Sequence, residues 1–239
     1  MFGDFGRQAL LVSGPLFRCG LAVNLGRRER LSFDAALRHA TRPIAVLCDG
    51  ANGTPNGGGL ARDATKMVLE HLAEGRTLSG QSLEEMGAAL ETKHPESGCT
   101  LLALKASCDG VDLFGVGDSF AEVYELEGSQ WRRIHALERH LDEFGHPTQL
   151  IGARVAISPA TFSWSRAAKG SALAAFLMSD GAGAYLTGED LRDVLAPVGD
   201  QLPSDDDLTF CAETLAARAL HRGSDDDISV VLAWIGCMA

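Results

Sequence analysis

Three aspartates stand where short apolar runs meet polar turns. Asp49 closes the run 44–48 in Val-Leu-Cys-Asp-Gly, and Asp180 follows 174–178 in Phe-Leu-Met-Ser-Asp-Gly. Asp226 precedes the last apolar run, in Gly223-Ser-Asp-Asp226-Asp227-Ile-Ser-Val-Val. A carboxylate where a buried strand emerges is poorly solvated unless it gains a partner. Several such groups at one mouth repel each other, and a divalent cation relieves that repulsion. An all-oxygen donor set selects a hard ion, Mg2+ or Mn2+, over zinc. Gly50 and Gly181 follow two of the three, which lets a backbone carbonyl approach an ion. Each Asp-Gly pair is also ordinary turn chemistry. The recurrence of the pattern beside β-rich runs is what points to a metal centre.

Other chemistry-bearing residues carry less. The chain contains no G-x-S-x-G, no Walker A and no H-E-x-x-H. Asn56-Gly57-Gly58-Gly59 could cradle a phosphate at a helix start, and a flexible lead-in is the simpler reading. His135 and His140 are five residues apart, wrong for one helical face, so a shared metal is not expected. Asp205-Asp206-Asp207 lacks the glycine of a calcium loop and reads as first-turn charge on a helix. Trp131, Trp164 and Trp234 are expected to pack in the core or at a sheet edge.

The elements that must position the aspartates are mostly strands. Apolar runs at 44–48, 101–106, 111–116, 121–126, 154–158, 172–178 and 228–235 have the length and flanking Gly and Asp of strands. Two segments have helical spacing. In 60–72 the residues Leu60, Ala64, Met67, Val68 and His71 share a face; in 205–221 Leu208, Cys211, Ala212, Leu215 and Ala219 do the same. Ser82, Thr187 and Ser204, each with an acid three residues on, predict helix starts. The strands are largely consecutive, so antiparallel sheets are expected, with two sheets covered by helices as the α+β solution.

The 239 residues carry 32 acidic against 21 basic side chains, a net charge of −11, and 46% hydrophobic residues. That is the balance of an ordinary globular chain, and with no linker or repeat one domain over 1–239 is expected. No stripe of Lys and Arg suits a nucleic-acid backbone. The short basic cluster Gly26-Arg27-Arg28-Glu29-Arg30 suits a single phosphate group. The longest apolar stretch, 171–179, is too short to span a bilayer. The opening Met-Phe-Gly-Asp-Phe-Gly is not a secretory signal, so a cytoplasmic location is expected. Six scattered cysteines with no C-x-x-C pair read as small core hydrophobes.

In order along the chain come Val-Leu-Cys-Asp49-Gly50, Ser97-Gly-Cys-Thr100, Phe114-Gly-Val-Gly117-Asp118-Ser119, Pro147-Thr-Gln-Leu-Ile-Gly152, Ser179-Asp180-Gly181 and Gly223-Ser-Asp-Asp226-Asp227-Ile-Ser-Val-Val. This series resembles the metal-dependent protein phosphatases of type 2C, the PPM family. The resemblance implies a four-layer α-β-β-α sandwich of two mainly antiparallel sheets. It also implies two or three Mn2+ or Mg2+ ions and hydrolysis of phosphoserine or phosphothreonine by an ion-activated water. By the family pattern Asp49 bridges two ions, the Gly50 carbonyl holds the second, Asp180 and Asp226 complete the first, and Asp118 belongs to a third. Asp49, Asp180 and Asp226 are thereby the catalytic set.

The departures lie mainly near the N-terminus. Asp34 fits the last acid of the family's first motif and would reach the metal directly or through water, whereas Phe33 stands where a metal-holding Glu is expected. The phosphate-binding Arg falls on Glu29, and a one-residue shift would give that role to Arg28 or Arg30. Ala51 replaces a His, Asp227 an Asn, and Phe120 the Arg that follows Gly-Asp-Ser. The expected protein is a monomeric cytoplasmic phosphatase acting on a phosphoprotein in signalling. The alternatives are a weak or inactive relative that binds a phosphoprotein as an adaptor, and a hydrolase of small phosphate esters.

Overall fold

The computed structural model describes residues 16–24, 32–107, 110–165, 172–198 and 202–236. In chain order the elements are β1 (Leu16–Asn24), β2 (Asp34–Arg38), β3 (Ile44–Asp49), α1 (Gly57–Ala73), α2 (Gly80–Glu91), β4 (Leu101–Ala106), β5 (Gly110–Val116) and β6 (Phe120–Glu127). Then follow β7 (Gln130–Ala136), β8 (Ala160–Ser165), β9 (Leu173–Met178), α3 (Asp180–Gly183), α4 (Gly188–Leu195), α5 (Asp205–His221) and β10 (Ile228–Gly236). They form two five-stranded sheets, ordered β1-β10-β9-β6-β7 and β2-β3-β4-β5-β8. Every pairing between named strands is antiparallel.

The continuous apolar runs follow from burial on both faces of each sheet. In β3, Ile44, Val46 and Cys48 face α1 and α2 together with Leu60, Ala64 and Leu83. Ala45 and Leu47 point the other way, into a layer with Leu102, Leu104, Val123, Leu177 and Val231 between the sheets. On the far side Phe176, Met178, Val230 and Leu232 pack against Leu191, Leu208 and Leu215 of α4 and α5. Three apolar layers thus separate four layers of structure, the expected α+β sandwich. Among the described residues no helix is long and apolar enough to cross a membrane.

Local signals were partly correct. Thr187 and Ser204 cap α4 and α5, each in a reciprocal box with the acid three residues on. In α2 the cap is Ser79, three residues before the expected Ser82. The Ser82 hydroxyl instead accepts from the Ser79 amide at 2.9 Å, taking the role usually filled by Glu. The run 154–158 is not a strand. Arg154 has φ 49°, and the amides of Ile157 and Ser158 donate to Glu84 and Gln149 side chains, at 2.9 and 2.7 Å, in place of a neighbouring ladder. Cys19, Cys48, Cys99 and Cys211 are free and buried, in keeping with their reading as hydrophobes; Cys108 and Cys237 lie outside the described residues. The tryptophans pack as expected, with Trp131 buried and its Nε1 donating to the Leu195 carbonyl at 3.1 Å.

Helix α5 lies on β1 at a glycine. A Cβ at Gly20 would sit 2.1 Å from the backbone of Leu208 and Thr209, so the two main chains meet directly. Gly20→Ala is expected to cost about 3 kcal/mol by overpacking, read from urea unfolding. An unchanged midpoint would show that strand and helix are not in this contact.

Candidate active site

The acidic residues converge because the strand register brings them to one end of both sheets. Asp34 opens β2 and Asp49 closes β3, and the two face each other across that antiparallel pair. Asp180 begins α3 immediately after β9, and Asp226 and Asp227 precede β10, whose Val230 pairs with Met178 at the end of β9. A Cβ on Gly181 would come within 2.1 Å of the Asp227 carbonyl and 3.1 Å of the Asp226 Cβ, so the Asp-Gly and Asp-Asp segments are in direct contact. Asp118 lies in the bend between β5 and β6, under the electrostatic influence of Asp180 and Asp226. The structure therefore brings together Asp34, Asp49, Asp118, Asp180 and Asp226. Arg28 and Arg30 lie outside the described residues.

Neutral donors close the backbone around these acids. The Phe33 amide donates to Asp227 Oδ2 at 2.7 Å, tying β2 to the start of β10 and so one sheet to the other. Asp49 N donates to the Thr100 hydroxyl, which bonds Ser119 at 2.8 Å. Ser229 N donates to the Ser179 hydroxyl at 2.9 Å. Asp226 accepts weakly from Asn52 at 3.3 Å and more closely from the Asp227 amide at 2.7 Å.

The carboxylates themselves are poorly served. Asp34 is 5% exposed, and neither of its side-chain oxygens has a hydrogen-bond partner of good geometry; Asp227 Oδ1 is likewise orphaned. Ser229, Asp49 and Ser179 lie near enough to Asp34 to favour its charge, but burial outweighs them and lifts its pKa to about 6. Asp49 is pushed well above the carboxylate range, first by burial and then by the charges of Asp34 and Asp180. Asp118 is raised by burial and by Asp180, against a smaller opposing pull from Arg139. Among the described residues no three His, Cys, Asp or Glu side chains close around a single point as a ligand shell. Even so, orphaned oxygens and crowded like charges are a donor set with excess negative charge, and that fits a hard cation.

The glycines also have a packing use that their motifs did not suggest. A Cβ at Gly50 would lie 2.5 to 2.7 Å from the backbone of Gly57 and Gly58. Gly50 thus admits the first turn of α1. The segment Gly57-Gly58-Gly59 is that first turn and not a lead-in before the helix: a Cβ at Gly58 would strike Phe33 and one at Gly59 would strike Asn56. The Phe33 ring abuts α1 where the sequence pattern called for a carboxylate.

Two features near the mouth escaped the sequence. His140 takes no part in a His pair: His135 stacks on Phe162, with ring centroids 3.9 Å apart, while His140 Nδ1 accepts from the Gly117 amide at 3.2 Å beside Asp118. Arg139 lies over the ring of Phe120, its Cζ 4.1 Å from the centroid. Only the replacement of Arg by Phe at 120 signalled anything there.

A family model described as Protein phosphatase 2C matches residues 32–218. No curated protein is similar enough to be matched. Among solved structures, the chain is similar to PppA of Pseudomonas aeruginosa, described as a key regulatory component of T6SS. The two are 19% identical, with a TM-score of 0.68 over 93% of this chain and 98% of that one. The catalytic domain of the serine threonine protein phosphatase PstP, solved with two manganese ions, is 20% identical, with a TM-score of 0.67 over 94% and 100%. Stp1, a serine/threonine phosphatase of Staphylococcus aureus, is 17% identical, with a TM-score of 0.67 over 92% and 94%. At these identities the likeness concerns the fold.

The orphaned acid at 34 has a measurable consequence. In the unfolded chain an aspartate gives up its proton near pH 4, roughly, whereas in the fold Asp34 holds its proton to about 6. Between these values the native state binds more protons, so stability falls as pH rises, and the full penalty is present above the upper value. In EDTA, Asp34→Asn is expected to be more stable than the parent by about 3 kcal/mol at pH 8 and nearly equal to it at pH 4. Denaturant curves at the two pH values check this; a loss of stability at pH 8 would show that the Asp34 carboxylate is well satisfied.

Proposed function

The chain belongs to the protein phosphatase 2C family, and from that premise we propose that it hydrolyses phosphoserine and phosphothreonine in a phosphoprotein, using Mn2+ or Mg2+. The observation that supports this reading is the gathering of Asp34, Asp49, Asp118, Asp180 and Asp226 at one end of the sandwich, with Asp34 unpartnered. Asp49, Asp180 and Asp226 would hold a first ion. Asp49, the Gly50 carbonyl and Asp34 would serve a second, and Asp118 a third. Bound there, the ions would supply an acidified water and neutralise the phosphoryl oxygens during attack.

The remaining work falls to the chain. Among the described residues no side chain at the mouth is a ready nucleophile. The Cys99 thiol is raised well above its ordinary pKa by burial, and Ser119, Ser179 and Ser229 are buried against neighbouring groups. On this reading water is the attacking group. The contacts Phe33 to Asp227 and Gly181 to Asp227 fix the aspartates before substrate arrives, so charge stabilisation needs little reorganisation. On this reading the enzyme is a cytoplasmic monomer. A second reading, an adaptor that binds a phosphoprotein without turning it over, draws on Phe33, whose ring brings no oxygen to the second ion.

The test is phosphate release from a phosphothreonine peptide with Mn2+, beside an EDTA control. Activity should require Mn2+, and Asp180→Asn and Asp49→Asn should each lower it by roughly 100-fold or more with the far-UV spectrum unchanged. Equal rates in EDTA, or in both variants, would remove the metal assignment. Absent turnover in a protein whose Tm still rises with Mn2+ would select the adaptor. Faster turnover of a small aryl phosphate than of the peptide would select the small-ester hydrolase.

A further inference from the structure

An acidic mouth that must admit a phosphate dianion needs a fixed cation, and among the described residues the side chains around it supply one candidate. Phe120 starts β6 directly after Asp118-Ser119. Its ring is packed on α3: a Cβ on Gly183 would lie 2.2 Å from Phe120 Cδ2. Asp180 begins that same helix. Over this ring sits the Arg139 guanidinium, at 4.1 Å.

The segment carrying Arg139 is pinned on both sides. Leu137, buried, donates its amide to Ala121 at 2.9 Å, and a Cβ on Gly115 would meet its side chain at 2.5 Å. His140 donates its amide to the Gly117 carbonyl at 2.8 Å while its ring accepts from the Gly117 amide. Arg139 is thus held between residues anchored on either side of Asp118. It is exposed, and among the described residues it has no salt-bridge partner. Stacking occupies the face of a guanidinium and leaves the N–H groups at its edge free, and that edge matches two phosphate oxygens.

We propose that Arg139, presented on the Phe120 ring beside Asp118, is the residue that binds the phosphoryl group of the substrate. Phe120 is then the platform that orients it. The proposal rests on the phosphatase reading for its substrate, while the binding of a phosphate group is testable without turnover. The positive charge also weakens the repulsion that Asp118 and Asp180 would exert on an incoming dianion.

The experiment measures binding of inorganic phosphate to the Mn2+-loaded protein by calorimetry, together with KM and kcat on the phosphothreonine peptide and on an aryl phosphate. Arg139→Gln should weaken phosphate binding and raise KM for both substrates about 10-fold or more, with a smaller change in kcat. Phe120→Leu should move the same quantities in the same direction by less. Arg139→Lys, with the charge but without the fork, should recover only part of the loss. The Mn2+ concentration that raises Tm half-way should stay the same in all three variants, which also shows that they fold. Unchanged phosphate binding and KM in Arg139→Gln would overturn the proposal, as would an effect confined to the Mn2+ midpoint, since Arg139 would then serve only Asp118. If the parent binds phosphate but never turns over, loss of that binding in Arg139→Gln supports the site while the phosphatase reading fails.

Discussion

The structure depends on holding several carboxylates together at one end of a sandwich against their mutual repulsion. Asp34 and Asp49 face each other across β2 and β3, and Asp180 adds its charge to Asp49. Among the described residues, the groups that dominate the surroundings of Asp34 and Asp49 are other acids and serines. Such an arrangement persists only if the rest of the fold over-determines it. Here that comes from two antiparallel sheets, each buried on both faces, whose register leaves the strand ends no freedom to slip without turning their side chains out of the apolar layers.

Close contacts between main chains stiffen the same end. Gly50 meets Gly57 and Gly58, Gly58 meets Phe33, and Gly181 meets the Asp227 carbonyl. Each contact brings two backbone segments nearer than any side chain would allow. The neutral donors nearby, Thr100, Ser119 and Ser179, spend their hydrogen bonds on backbone and on one another. The oxygens of Asp34 are left over, so the mouth is rigid in its scaffold and unsatisfied in its charge. A cation site needs both properties, because preorganised ligands lower the cost of binding.

How much of this the sequence disclosed follows a physical line. The apolar runs identified β3, β4, β5, β6, β9 and β10, the inner strands of the two sheets. Strands β1, β2, β7 and β8 went unseen, and all four are sheet edges. The edge strand Gln130–Ala136 mixes charge with apolar residues, and Ala160–Ser165 alternates half-buried and exposed positions with Thr and Ser among its apolar residues, so a search for continuous hydrophobicity passes over both. The run 154–158 failed in the opposite sense: apolar enough for a strand, it satisfies two amides with side chains instead. The aspartates were legible because each ends or precedes an inner strand. Arg139 was not, since its partner Phe120 lies across the β6–β7 hairpin and no short motif links the two.

The two phenylalanines at the mouth separate what the backbone does from what a side chain does. At Phe33 the main chain keeps its structural duties: the amide holds Asp227 and the carbonyl accepts from Gly50 at 3.1 Å. Those bonds are indifferent to the side chain, so an aromatic ring can replace a carboxylate there while strand and helix stay in place. At Phe120 the side chain brings no charge of its own, but its ring gives Arg139 a surface to lie on, and the positive charge comes from the segment that follows β7. A site of this kind tolerates the loss of a charge from a given position more readily than its loss from the mouth, because Coulomb attraction depends on where the charge lies in space and not on which strand carries it. The glycine contacts have no such freedom. They depend on the absence of an atom, which no neighbouring residue can supply from elsewhere. A residue larger than glycine at these positions would have to push two main chains apart, so the contacts bind the fold more tightly than any single charge at the mouth.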